Sequence, residues 1–333
     1  MRAGEMNVIK DAMASGGNRP TVWVMHDGKA GMASQVIGLA EAVGEPFSEK
    51  RLAIRAPWRF LPPNLWFCPF HALAAESDPL APPWPDLLIA CGRNTVALAR
   101  GIKRQNGDKT FWVQVQDPRF ARAEADCIVA PNHDPAPGGN VFRTLGAVHR
   151  VTREKLAAAA QRFAPIFAAL PRPLVAVLIG GDNGVYRLTD ERFATLCDQL
   201  AALAHQGFGL AITPSRRTTP ARIALLQDKL KGTTAYIWDG SGDNPYFGML
   251  GTADAIIVTA DSVSMVSEAA ATGKPVYIAE LEGGSAKFAR FHQAMRDAGI
   301  TRPFLGAIEA WHYAPPDDTR RAAAEIRRRA KIG

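Results

Sequence analysis

Nine short apolar runs recur along this chain, with longer helical patterns between them. They are TVWVM (21–25), LLIA (87–90), FWVQV (111–115), CIVA (127–130), LVAVLI (174–179), FGLAIT (208–213), AYIW (235–238), AIIVT (255–259) and VYIA (276–279). Several are almost unbroken Val, Ile and Leu, the composition of strands buried on both faces of a parallel sheet. The segments between them, such as ASQVIGLAEAVG and DERFATLCDQLAALAHQG, space apolar residues three to four apart, often behind a polar N-cap. This alternation predicts βαβ units with right-handed crossovers, and hence an α/β fold.

At roughly 150 residues per domain, 333 residues suggest two domains. The helix-like stretch 151–173 ends in Pro171-Arg172-Pro173, and a fresh series of strands follows it. The expected organisation is a mobile tail over 1–18, a Rossmann-like domain over 19–150 and a connecting helix and linker over 151–173. A second Rossmann-like domain follows over 174–310, then a basic helix over 311–333 that is free to cross back to the first domain. Two such domains would face each other across a cleft. The Pro-, Trp- and Phe-rich segment 56–85 fits no regular period. It reads either as an insertion packed on its own domain or as an amphipathic patch for a membrane face or a lipid-linked acceptor.

No apolar run approaches the roughly 20 residues that span a bilayer, and the first residues carry no continuous apolar core of a secretory signal. The four cysteines are far apart with no CxxC pair, which predicts reduced thiols in the cytoplasm. The net charge is +7 and the pI about 9.4, partly from the terminal DDTRRAAAEIRRRAKIG. A solvated helix explains that tail; attraction to phosphates or to the inner, anionic face of a membrane is the alternative. No zinc-finger spacing or RNA-binding signature points to nucleic acid. Oligomeric state is not legible.

Polar residues collect after the strands: HDGKAG (26–31), CGRN (91–94), QDPR (116–119), PNHD (131–134), GGDN (180–183), TPSRR (213–217), DGSGDNPY (239–246), ADSVS (260–264) and LEGGS (281–285). In open parallel sheets ligands bind beyond the carboxyl ends of the strands. One such rim is ordinary turn chemistry, but nine exceed it. Gly180, Gly181, Asp182 and Asn183 would let backbone N–H groups approach a phosphate. The turn is neither GxGxxG nor GxxxxGK[ST], so a dinucleotide fingerprint and Walker-type phosphoryl transfer are absent. Ser215, Arg216, Arg217 and Thr218 could clamp a diphosphate or simply cap an exposed helix.

The stretch ADSVSMVSEAAATGKPV raises the same choice. Asp261 or Ser262 can cap the helix that runs through Ser264 and Met265, and Glu268 gains from its dipole. Alternatively the N–H groups hold a phosphate while Glu268 accepts hydrogen bonds from a ribose diol. That combination resembles the nucleotide-sugar site of two-domain GT-B glycosyltransferases, in particular the second-domain donor motif of the inverting, peptidoglycan-type N-acetylglucosaminyl transferases. The paired glutamates of the retaining branch are missing, since Ala260 and Val276 stand eight residues either side of Glu268. No Asp-x-Asp metal motif stands at a strand end either. The resemblance therefore implies an inverting transfer without metal or other cofactor. A closer resemblance, carried by HDGKAGMASQ, CGRNT, VQVQDPR, APNHD, GGDNGVYRLT, TPSRRT, GDNPYFGML and TADSVSMVSEA, is to a family named for mitochondrial fission in plants, the elongated-mitochondria proteins. That family also has a bacterial branch. Its plant members act on the outer mitochondrial surface and help recruit a dynamin-like GTPase.

On these resemblances the first-domain rim is the acceptor side. His26, oriented by Asp27, is the expected general base, with His133 as its competitor. Gly28, Lys29, Gln35, Arg93, Asn94, Gln116 and Asp117 would line the acceptor. The expected function is sugar transfer from a nucleotide-diphosphate donor to an acceptor at or near a membrane. A non-enzymatic scaffold that at most binds nucleotide, and a nucleotide-sugar epimerase, are the alternatives.

Overall fold

The structure, a computed structural model, describes residues 19–332. The expected tail over 1–18 lies outside the described residues. Two six-stranded sheets, each wholly parallel, form the framework.

The first sheet holds β1 (Val22–His26), β2 (Phe47–Arg51), β3 (Leu87–Cys91), β4 (Phe111–Val115), β5 (Cys127–Pro131) and β6 (Val141–Thr144), in the order β2-β1-β3-β4-β5-β6. Helices α1 (Ala30–Val43) and α2 (Arg93–Gln105) belong to this domain. Strands β1, β3 and β5 are buried along their whole length, which is why they read as continuous apolar runs. The edge strands β2 (FSEKR) and β6 (VFRT) escape the sequence reading. An edge strand needs no second apolar face, so its sequence resembles a loop.

Helix α3 (Arg153–Phe167) is the expected connector, capped by the Thr152 side chain on the Lys155 N–H. It is no free linker. Phe163 and Phe167 enter the core of the second domain, where α3 packs on α6 (Tyr246–Thr252). Close approach there requires glycine: a Cβ on Gly251 would stand 2.5 Å from the Leu156 carbonyl oxygen.

The second sheet runs β10 (Tyr236–Ile237), β9 (Gly209–Pro214), β7 (Leu174–Ile179), β11 (Ala255–Thr259), β12 (Val276–Ala279), β14 (Thr301–Pro303). Around it lie α4 (Asp190–His205), α5 (Pro220–Lys229), α7 (Val263–Ala270) and α8 (Ala286–Asp297). A small antiparallel pair, β8 (Tyr186–Arg187) with β13 (Glu282–Gly283), closes one corner.

The last helix, α9 (Asp318–Ala330), returns to the first domain. Ala322, Ala323 and Ile326 are buried with Val22, Val36 and Leu39. Asp318 fixes its start by accepting from the Leu145 and Gly146 N–H groups at 2.8 and 3.1 Å. The basic residues of its last turn are largely neutralised: Arg328 and Arg329 both bond to Glu325.

The segment 56–85 is built of 3-10 turns at Trp58–Phe60, Pro63–Leu65 and Pro69–Ala72. Its underside packs on the first domain, with Trp66 and Ala72 buried against Ala97 of α2. Its outer side leaves Phe60, Leu61, Leu65 and Phe67 exposed.

Candidate functional site

The carboxyl ends of β9, β7 and β11 lie side by side, and their turns knit into one network. The Gly180 N–H donates to Thr259 Oγ1 at 2.8 Å, and its carbonyl accepts from Ser215 Oγ and Thr218 Oγ1 at 2.9 and 2.8 Å. Asn183 Nδ2 donates to the Asp261 carbonyl at 3.1 Å, and Asn183 Oδ1 accepts from the Val185 and Tyr186 N–H groups. Asp182 Oδ1 accepts from the Leu188 N–H at 2.7 Å. Asp261 sits beneath the glycine turn, buried. Its Oδ2 accepts from the Gly181 N–H at 3.2 Å and from Arg217 Nη2 at 2.5 Å, while Oδ1 has no protein partner. A Cβ on Gly180 would stand 2.2 Å from that carboxylate, so only glycine fits there.

The sequence offered Gly181 and Arg217 as phosphate ligands. In the structure both serve an internal carboxylate instead. Arg217 also donates to the Gly181 and Asp182 carbonyls, whereas Arg216 is exposed, with no hydrogen bond or ion pair among the described residues. Ser262 caps α7 by accepting from the Met265 N–H at 3.3 Å, as its sequence position predicts.

Glu268 lies on α7 with little exposure. Its Oε1 accepts from Ser34 Oγ of α1 at 2.7 Å and its Oε2 from the Tyr246 hydroxyl at 2.6 Å. Burial pushes its pKa up, against the pull of those two donors. Tyr246 is likewise pushed well above its usual range, by burial and then by the Glu268 charge. Glu268 therefore bridges the domains. Around it α1 and α7 approach closely: Ser264 Oγ lies 3.0 Å from where a Cβ on Gly31 would stand, and Ser267 Oγ accepts from the Ala147 N–H at 2.9 Å. Sequence reasoning missed Ser34, Ser267 and Tyr246. Nothing about a helical serine marks it as a partner of a residue in the other domain, nor a tyrosine after Asn-Pro as a donor to a glutamate 22 residues on.

On the first-domain rim the general-base expectation for His26 needs correction. The ring is 2 % exposed; Nδ1 accepts from the Gly28 N–H at 3.0 Å, which leaves Nε2 to donate to Glu49 Oε1 at 2.9 Å. Both nitrogens are occupied, and the imidazole does not reach the cleft. Its role is to shape the β1–α1 turn, in which Gly28 takes φ +77°. His133 fares no better as a base. Burial lowers its pKa to about 4, its ring packs on Phe291 of α8, and its carbonyl accepts from Arg290. Beside it Lys287 pairs with the buried Asp134 across the same domain boundary.

Asp117 is also corrected. It binds Arg122 through both oxygens at 2.7 and 2.8 Å and accepts from the Arg119 N–H, and the Arg122 hydrogen bond holds its carboxyl below the usual range. It staples its own loop. Gln116, at φ 70°, donates to Gln35 Oε1 at 3.3 Å, and Gln35 Nε2 donates to the Gly31 carbonyl. Arg93 is exposed and donates to the Leu61 carbonyl at 3.4 Å.

A cavity of about 560 Å³ opens beside the ends of β1, β2 and β3. Lys29 and Asn94, two of the expected acceptor-side residues, line it with Asp27, which was expected to orient His26, and with Arg51, Arg59 and Glu76, which the sequence did not single out. Asp27 Oδ2 accepts from Lys29 Nζ at 2.7 Å. Among the described residues no group of His, Cys, Asp and Glu is arranged to hold a metal.

Two parallel-sheet Rossmann-like domains in one chain, joined by a helix and closed by a returning C-terminal helix, define a GT-B fold. The sequence profile of one family, described as Mitochondrial fission ELM1, matches residues 30–330, and the chain belongs to that family. It is 36% identical over 272 residues to the mitochondrial fission protein ELM1 of Arabidopsis thaliana, covering 73% of this chain and 64% of that protein's length. It is 28% identical over 360 residues to the uncharacterized protein RP120 of Rickettsia prowazekii, covering 93% of this chain and 99% of the other. Among solved structures it resembles the UDP-GlcNAc 2-epimerase of Methanocaldococcus jannaschii in complex with UDP-GlcNAc and UDP. There the TM-score is 0.53 and the identity 12%, over 94% of this chain and 99% of that one.

Proposed function

We propose that this chain uses a nucleotide-diphosphate sugar, held at the second-domain rim, and transfers its sugar to an acceptor on the first-domain side, at or near a membrane. The observation that carries the reading is the convergence of GGDN, SRRT and ADSVS at three neighbouring strand ends, one helical turn from Glu268. That is where ligands sit in open parallel sheets. The epimerase of similar fold was solved with UDP and UDP-GlcNAc, which agrees with the reading. In this reading the diphosphate meets Arg216 and the Asp182 N–H of the GGDN turn, because the Gly180, Gly181 and Asn183 N–H groups are already bonded within the protein. Ribose hydroxyls replace Ser34 as donors to Glu268 when the domains part.

With His26 occupied, two carboxylates line the first-domain cavity, Asp27 and Glu76, and we assign the base role to Asp27, which directly follows β1. Asp27 takes the proton from the acceptor hydroxyl as that oxygen attacks the sugar C1. The bond from C1 to the diphosphate oxygen breaks, the nucleoside diphosphate leaves, and the configuration inverts. No metal enters this scheme.

Calorimetric titration with UDP, UDP-GlcNAc and other nucleoside diphosphates tests the reading. Saturation at 100 times the dissociation constant should also stabilise the fold by about 2.7 kcal/mol. No heat with any of them at millimolar concentration would overturn it. One observation favours the scaffold reading instead: both oxygens of Glu268, and the Arg217 guanidinium, are already held by protein partners. A scaffold that at most binds nucleotide transfers no sugar and needs no Asp27. An epimerase would convert the nucleotide sugar with no acceptor present.

A further inference from the structure

The cavity beside β1–β3 is rimmed by cations whose charge the protein does not neutralise. Lys29 is committed to Asp27. Arg51 and Arg59 are exposed, and among the described residues neither guanidinium makes a hydrogen bond or ion pair. Arg51 lies against the Gly28 turn, where a Cβ would stand 2.7 Å from its Nε. Arg59 lies over the Phe60 ring at 4.6 Å. Glu76 is the one carboxylate in the lining besides Asp27. Two unpaired guanidinium forks at the mouth of one cavity suit a tetrahedral oxyanion, which each can meet bidentately. At about 560 Å³ the space exceeds a lone phosphate and admits a head group with hydroxyls for Asn94 and Glu76.

An apolar knob begins at Phe60, the ring on which Arg59 lies. Of the seven large hydrophobic residues exposed on the described chain, four fall between 60 and 67: Phe60, Leu61, Leu65 and Phe67. Phe67 is 92 % exposed although its neighbour Trp66 is buried. The knob is therefore held from below by packed residues and presents its rings outward, beside the basic mouth. Clustered exposed apolar residues mark an interaction surface, and here positive charge adjoins them.

We propose that this face seats on an anionic membrane, with Phe60, Leu61, Leu65 and Phe67 in its interfacial layer and a lipid's phosphate ester entering the cavity between Arg51 and Arg59. The occupant is an amphiphile whose phosphate lies at the membrane surface. Naming that lipid as the sugar acceptor rests on the transferase reading; its binding does not.

The test is flotation of the full chain with phosphatidylcholine vesicles, with and without phosphatidate, at low salt. The protein should float with phosphatidate and not with pure phosphatidylcholine. Arg51→Gln with Arg59→Gln should lower the partition coefficient roughly thirtyfold, the figure for two basic residues each worth about 1 kcal/mol near an anionic surface. Arg51→Lys with Arg59→Lys, which keeps charge but not the forks, should fall between. Phe60→Ser with Phe67→Ser should also abolish flotation, with thermal unfolding unchanged. Arg320→Gln with Arg321→Gln is the charge-matched control and should float as before. No flotation with phosphatidate overturns the proposal, as does an equal loss in the control, which would mean net charge alone. If the serine pair floats normally while glycerol 3-phosphate binds through Arg51 and Arg59, the site serves a soluble phosphate ester and the lipid assignment falls. Titration of the same protein with UDP reports separately on the donor reading.

Discussion

At the scale of single residues, neighbours in sequence part company. Arg216 and Arg217 are adjacent, yet one is free and the other holds Asp261. Arg217→Ala would leave the Asp261 carboxylate buried with only the Gly181 N–H for company. The expected cost is about 1–3 kcal/mol in a urea titration, discounted because the arginine is partly exposed. Arg216→Ala should stay within about 0.5 kcal/mol of the parent, as for an unpaired surface side chain, and lose nucleotide affinity instead. Ser34→Ala separates the two functional readings in the same way. It removes one charge-assisted bond between the domains and frees an oxygen of Glu268. If that oxygen awaits a ribose hydroxyl, nucleotide affinity rises in calorimetry while stability falls by about 1.5–3 kcal/mol. If Glu268 is only a clamp, stability falls and no nucleotide binds.

Among the elements, α9 shows how a short terminal segment can belong to a distant core. Ile326 lies in the last turns of the chain, yet it is fully buried with residues of the first sheet and α1. Ile326→Ala should cost about 2–5 kcal/mol, the range for deleting a buried branched side chain. The loss should appear in the unfolding of the first domain, read from Trp23 and Trp112 fluorescence. The Pro- and Trp-rich segment makes a similar point. The sequence shows only a segment rich in Pro, Trp and Phe; in the fold Trp66 is core, and the outward-facing rings are those of Phe60 and Phe67.

Across the whole molecule, two histidines near the domain boundary set a pH dependence. Burial lowers both His133 and His149 to about 4 from a usual value near 6.5. Above pH 6.5 they are neutral folded or unfolded and contribute nothing. As pH falls from 6.5 towards 4 the unfolded chain takes up protons that the folded chain refuses, so stability must fall across that window. Urea midpoints should drop between pH 7 and pH 5, and His149→Gln should flatten the slope. A slope left unchanged by His149→Gln would contradict the burial of that ring.

What the sequence determined by itself is the framework. Central strands buried on both faces must be apolar, so all nine runs coincide with strands of the two sheets, and polar turns mark their carboxyl ends. Helix caps at Thr152, Thr189, Thr219, Ser262 and Ser285 are equally local, each a side chain on an N–H three residues on. Tertiary structure decided whatever depends on two distant segments meeting. The edge strands β2, β6 and β14 carry no apolar signature because only one neighbour and one face constrain them. His26 loses its expected role because Glu49, on the adjoining strand, takes its second nitrogen. Asp261 and Arg217, 44 residues apart, neutralise each other because parallel strands bring their ends together. Glu268 is shared between domains because α1 and α7 are pressed together. A side chain's chemistry is written in its own residue, but whether that chemistry is free for a ligand depends on partners that only the fold supplies.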